Sequence, residues 1–175
     1  MIRNKRKLYS SEELIDEFTK GLELVETNGW TTKYYDDSNK QYWLKYVTEI
    51  HRGLTTFSAH LITLTPPPTT DELIDITLKS PYPDEVIAAA NRLYLDEQEK
   101  HIEFRGELLA KLYSLDISKL LPLDKDRIRN IIQHTSLLHA INIRPIVGKH
   151  HTEIEKDAEF FASTSKKAND LLGSL

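Results

Sequence analysis

The chain has 175 residues, with 23 Lys and Arg against 27 Asp and Glu, a net charge of −4, and no cysteine. That length, with a hydrophobic share of 39%, suits one domain or a small sheet unit with a helical extension, and it excludes a disordered composition. The missing cysteine excludes disulfides, thiolate catalysis and cysteine-based zinc, and it fits a reducing compartment.

Ser10-x-x-Glu13 is a capping-box pattern, and Leu14, Ile15 and Phe18 supply the apolar side of a short helix ending near Gly21. Leu22–Val25 reads as a candidate strand. From Gly29 to Tyr46, eighteen residues hold six aromatics: Trp30, Tyr34, Tyr35, Tyr42, Trp43 and Tyr46, out of fifteen in the chain. They flank the turn formers Asp36-Asp37-Ser38-Asn39, which predicts two strands joined by a tight connection. Leu54–Leu64, rich in Thr and β-branched residues, adds a third or fourth antiparallel strand. Pro66-Pro67-Pro68 then ends the sheet, because proline has no amide proton for a ladder.

Everything beyond reads as helix. Thr69-x-x-Glu72 opens one through Leu73, Ile74 and Ile76, and Pro81 and Pro83 separate it from a second over Asp84–Asp96. A third is expected near Lys100–Tyr113. These short helices resemble HEAT-like pairs, over about one repeat where a solenoid needs three or more. The C-terminal third predicts a helical hairpin. Its first helix covers about Asp124–Ile141, and its second opens with Pro145 as first helical residue. A seam follows at Val147, His151, Ile154, Ala158, Phe161, Ser165, Ala168 and Leu172, broken by the polar Ser163-Thr164-Ser165. The expected class is α+β: an antiparallel sheet unit over about 22–65, then antiparallel helices. The divisions are 1–68, 69–115 and 116–175, packed as one unit.

Motifs for chemistry are missing. There is no Gly-rich phosphate loop, G-x-S-x-G elbow or H-E-x-x-H helix, and Gln98 stands where a di-iron bundle needs the Glu before His101. His139, His150 and His151 flank Arg144-Pro145 and could meet across a hairpin as zinc ligands; alternatively His151 is a buried seam residue and His150 faces out. Glu49, His51 and Arg52 suit acid–base work, a hydrogen-bonded loop or partner contact, and these readings stay open. The reading is of a non-enzyme without cofactor or metal.

The charge is uneven. Residues 8–80 hold six Lys/Arg against twelve Asp/Glu, and 81–115 hold four against seven. Residues 116–175 hold nine against eight, and the basic start 1–7 adds four. An acidic body disfavours nucleic acid and suits a basic protein partner. No apolar run reaches the ~18–20 residues of a membrane span. The basic start (Arg3, Lys5, Arg6, Lys7) lacks a signal peptide's apolar segment, so a soluble cytoplasmic protein is expected.

The order Gly29-Trp30, Tyr35-x-Asp37, Tyr42-Trp43, Tyr46, Glu49 and His51-x-Gly53 resembles the immunity-protein family numbered twenty-seven of bacterial polymorphic-toxin systems, over about residues 22–75. The resemblance implies a small cytoplasmic partner that neutralises a cognate toxin domain in the producing cell. With the acidic body, it makes a basic nuclease domain the expected target. The expected contacts are Tyr35, Asp36, Asp37, Glu49, His51 and Arg52, exposed above the anchors Trp30 and Trp43. The rival expectation is a helical adaptor that binds another protein through its C-terminal helices.

Overall fold

The computed structural model describes the backbone at residues 6–51 and 55–175, and the side chains at all of these except 49–51, 55 and 56. Strand β1 (Leu8–Tyr9) and helix α1 (Glu12–Thr19) precede the meander β2 (Glu23–Asn28), β3 (Thr31–Asp36), β4 (Gln41–His51) and β5 (Thr55–Thr63). All pairings are antiparallel and the strand order is β1-β5-β4-β3-β2. Helices α2 (Thr70–Lys79), α3 (Pro83–Lys100), α4 (Arg105–Tyr113), α5 (Pro122–His134) and α6 (His151–Gly173) follow, with a 3-10 turn at Ile117–Lys119. The chain is thus α+β, as its sequence predicts.

Period-two alternation gives the sheet two covered faces. Leu8, Leu44, Tyr46 and Ile62 point towards α2–α6 and join Leu73, Val86, Leu93, Leu108 and Ile131 in one large core. The opposite face turns Tyr9, Trp43 and Leu61 under α1, where they pack with Ile15, Leu14 and Phe18. Phe18 meets Tyr9 stacked at 5.0 Å and Trp43 edge-on at 4.8 Å. Ser11 caps α1, and the predicted Thr69–Glu72 capping box is present at the start of α2.

Three helical expectations are corrected. First, α5 stops at His134 rather than Ile141. Ser136 sits at φ +55, with Leu137 N–H donating to Ile132 O at 3.2 Å and Ser136 N–H to Gln133 O at 3.3 Å. This is a Schellman cap with serine where glycine is usual, which hides it from a reading by composition. Second, Pro145 opens no helix. Residues 135–150 form a loop held down by Arg105, whose guanidinium donates to Ser136 O and His139 O, and by Arg144 and Lys149, both paired with Asp157. The helix α6 begins only at His151, with a His150–Glu153 capping box. Third, the seam packs only through its C-terminal half. Phe161, Ser165 and Ala168 are buried, whereas Val147, His151 and Ala158 are exposed. The polar break is no interruption, because Thr164 donates to Phe161 O and Ser165 to Leu138 O, so both hydroxyls are satisfied inside the core.

Candidate protein-binding face

The β2–β3 hairpin turns on Gly29, at φ +56, the backbone sense that a two-residue connection between Asn28 and Thr31 demands and that glycine supplies without strain. That tight turn throws Trp30 outwards. Strand β3 ends its pairing with β4 at Tyr46, so residues 47–51 and 55–59 continue as a two-stranded arm beyond the body of the sheet. Trp30 lies against the base of this arm. Its carbonyl accepts from Val47 N–H at 3.2 Å, and its ring stacks on Phe57 at 5.5 Å with 9° between planes. Both rings remain open to solvent, Trp30 at 68% and Phe57 at 61%. They form a flat aromatic platform on the face that α1 covers only further along. The register puts Leu24, also exposed, on the same face through Tyr34.

This geometry divides the sequence-predicted contacts. Trp30 was expected as an anchor beneath the contacts; it is instead the exposed element, because its position in the hairpin turn lies past the end of α1. Trp43, at 3% exposure, is the true anchor, locked between Phe18 and Tyr9. Asp36 was expected exposed and is 1% exposed. Its carboxylate accepts from Ser38 N–H at 3.0 Å, Ser38 Oγ at 2.5 Å and Asn39 Nδ2 at 2.9 Å, which clamps the β3–β4 turn. Asp37 is exposed beside Lys40, and Tyr35 is half-buried, its ring 5.0 Å from that of Tyr42. Glu49 and His51 lie on the arm, with backbones opposite Phe57 and Thr55, and their side chains are outside the described residues; Arg52 is outside them altogether. Trp30 and the Asp36–Asp37 turn therefore stand at opposite ends of β3, ~20 Å apart for six residues. The predicted contacts therefore fall in two separate places rather than one.

The same unit carries exposed acidic side chains. Glu12, Glu13, Asp16 and Glu17 are exposed along α1, and Glu23 and Glu26 along β2, which is exposed from end to end. Asp16 holds Lys45 at 3.0 Å, so that lysine is neutralised.

Sequence reading missed Phe57 as a surface residue, although its alternation with Ala59 and Leu61 placed it on the correct face. It also missed a polar layer on the opposite face. His60, with no solvent exposure, stacks on Tyr46 at 5.4 Å, and its Nε2 lies 3.1 Å from Thr48 Oγ1. The Arg92 guanidinium covers the Tyr46 ring at 5.5 Å and pairs with Asp96 and Glu99. Burial pushes His60 down to about 4, and the positive charges of His134 and Arg92 act in the same direction. Burial pushes Tyr46 up to about 12 against the pull of Arg92. Both groups are neutral near pH 7, and the layer is closed from solvent.

Two other places are weaker candidates. A groove of about 900 Å³ between the N-terminal segment and α2 is lined by Lys7, Glu72, Asp75, Lys79 and Lys111, and these charges pair with one another. His150 and His151 are exposed neighbours on α6, and His151 pairs with Glu155 rather than sitting in a buried seam. Among the described residues no group of three or more His, Asp or Glu is arranged to hold a metal ion. No described helix is long and apolar enough to cross a membrane.

No family model, curated protein or solved structure matches the chain.

Proposed function

We propose that this chain is a non-enzymatic cytoplasmic immunity protein, which binds a cognate bacterial toxin domain and blocks it in the producing cell. The observation that carries the reading is the exposed Trp30–Phe57 stack on a unit whose α1 and β2 are rich in exposed acids. Large aromatics ordered in advance are what binding hot spots are made of, and they are costly to leave in water without a partner. The acidic surroundings select a basic domain, such as a nuclease whose own surface attracts phosphates. The residue order from Gly29 to Gly53, with its resemblance to the immunity family, supports the same reading.

The test is titration calorimetry with the toxin domain encoded beside this chain, together with growth of cells expressing both. A stoichiometric complex and restored growth are expected. Trp30→Ala with Phe57→Ala should weaken binding by ~30-fold or more, the effect of losing one hot spot of ~2 kcal/mol. No complex at micromolar concentrations refutes the proposal.

One observation favours a helical adaptor as second reading: Leu121, Leu123, Ile146 and Val147 are exposed on the helical side, Val147 at 92%. A partner that survives loss of the aromatic stack but not Leu123→Asp or Val147→Asp would establish the adaptor instead.

A further inference from the structure

The two edges of the sheet are treated differently. Strand β1 is two residues long, and the buried Glu85 of α3 accepts from Lys7 N–H at 2.8 Å, so that edge is capped by a side chain. At the other edge β2 is six residues long, exposed throughout, and no described strand lies beyond it. A free edge of that length is a template for another strand.

The register gives this edge two chemically distinct sides. Glu23 pairs with Tyr35 and Glu26 with Lys33, which places both carboxylates on the helix-covered side of the sheet. Leu24 pairs with Tyr34 and Thr27 with Thr32, which places these two on the side of Trp30 and Phe57. The bulge at Val25 preserves that division, since Glu26 regains the side of Glu23 although the two are three positions apart. A strand added here meets acids on one side and, on the other, Leu24 and then Thr27 before the aromatic platform at Trp30.

We infer that β2 is an acceptor for a strand of another protein in which Lys or Arg alternates with apolar residues. Its cations face Glu23 and Glu26, and its apolar side chains lie beside Leu24 and reach past Thr27 towards Trp30. Charge decides against a second copy of this chain. Antiparallel pairing keeps like sides together, so two β2 strands would set Glu23 and Glu26 against the same glutamates. The inference rests on the partner-binding reading above and adds the mode of attachment and the partner's sequence chemistry.

The experiment uses the full chain, isotopically labelled, and a capped nine-residue peptide of alternating lysine and valine followed by backbone amide spectra. Saturable shifts at amides 23–28 and at the Trp30 indole are expected, with no binding of the glutamate–valine analogue. Affinity should fall about tenfold or more as salt is raised from low to high ionic strength. Glu23→Lys with Glu26→Lys, both exposed, should reverse the preference between the two peptides. No shift at millimolar peptide, shifts centred elsewhere, or a salt-independent complex overturns the inference, as does a homodimer joined at β2. Should the double variant fail to fold, the salt dependence and the two peptides decide alone. The two proposals fail separately. Peptide bound at β2 without toxin neutralisation sinks the immunity function only. Neutralisation unchanged by the charge reversal sinks the strand acceptor only.

Discussion

His60 makes the stability of this protein depend on pH in a way that can be worked out beforehand. Burial holds its folded pKa at about 4, while the unfolded chain has the ordinary value near 6.5. Between those values the unfolded state takes up a proton that the folded state refuses, so stability is complete above about pH 6.5 and declines as pH falls, levelling off below about 4. The loss integrates to ~2 kcal/mol between pH 7 and pH 5 and to ~3 kcal/mol by pH 4. Carboxyl groups contribute as well. Glu97 is pushed up by burial against the pull of Arg105, which acts in the opposite sense, and Asp96 and Asp157 are held low by Arg92 and Lys149, which adds to acid sensitivity at still lower pH. Subtraction against a variant isolates His60. His60→Phe keeps a ring against Tyr46 and cannot titrate, so its urea-unfolding free energy should lose most of the slope between pH 6.5 and 5 that the parent shows. Equal slopes in the two proteins, or the His60 resonances themselves titrating near 6.5 by NMR, would show that the ring is not buried between β5 and α3 as described.

Three further outcomes follow from burial and pairing. Trp30→Ala removes one stacked partner at the surface and should cost only ~1 kcal/mol, whereas Trp43→Ala opens a cavity under α1 and should cost ~3–5 kcal/mol; urea denaturation of both tests which tryptophan is core. Arg105→Ala leaves the buried Glu97 carboxylate unpaired and releases two loop carbonyls, so a loss of ~3–5 kcal/mol is expected, largely recovered when Glu97→Leu is added. Asp36→Ala strips three hydrogen bonds from the β3–β4 turn and should lower stability by ~1–3 kcal/mol, against a change within ~0.5 kcal/mol for Asp37→Ala.

The sheet was legible because its signals are local. The aromatic run, the Asp-Asp-Ser-Asn turn and the triple proline each act within a few residues, and β3, β4 and β5 fall where they point. The Thr69–Glu72 box was legible for the same reason. What stayed hidden depended on distant partners. Strand β1 has two residues and exists only because β5 and Glu85 satisfy its backbone. The end of α5 rests on Ser136 in a left-handed conformation, and the delayed start of α6 rests on a loop pinned by Arg105 from α4. Exposure at the candidate site was the least legible quantity. Asp36 and Asp37 are identical residues in adjacent positions, yet one is clamped inside the turn and the other is in water. Trp30 and Trp43 carry the same side chain, and only the reach of α1 separates platform from core.

That reach explains why an apolar face is left open at all. Helix α1 has eight residues and is ~12 Å long, while the eleven residues of β4 extend over ~36 Å. One short helix can shelter Tyr9, Trp43 and Leu61 and nothing much further along the strand. Further along, past Thr32 and the Asp16-paired Lys45, that face carries Val47, Trp30 and Phe57. A chain with no partner would gain from polar residues there, since the platform adds little to its own stability. Placing two stacked aromatics beyond the helix, on a turn held by Gly29 and a carbonyl bonded to Val47, costs solubility and returns little to the fold. Under the proposed function a second protein covers the stack, and the exposed acids of α1 and β2 favour basic partners over copies of the chain itself.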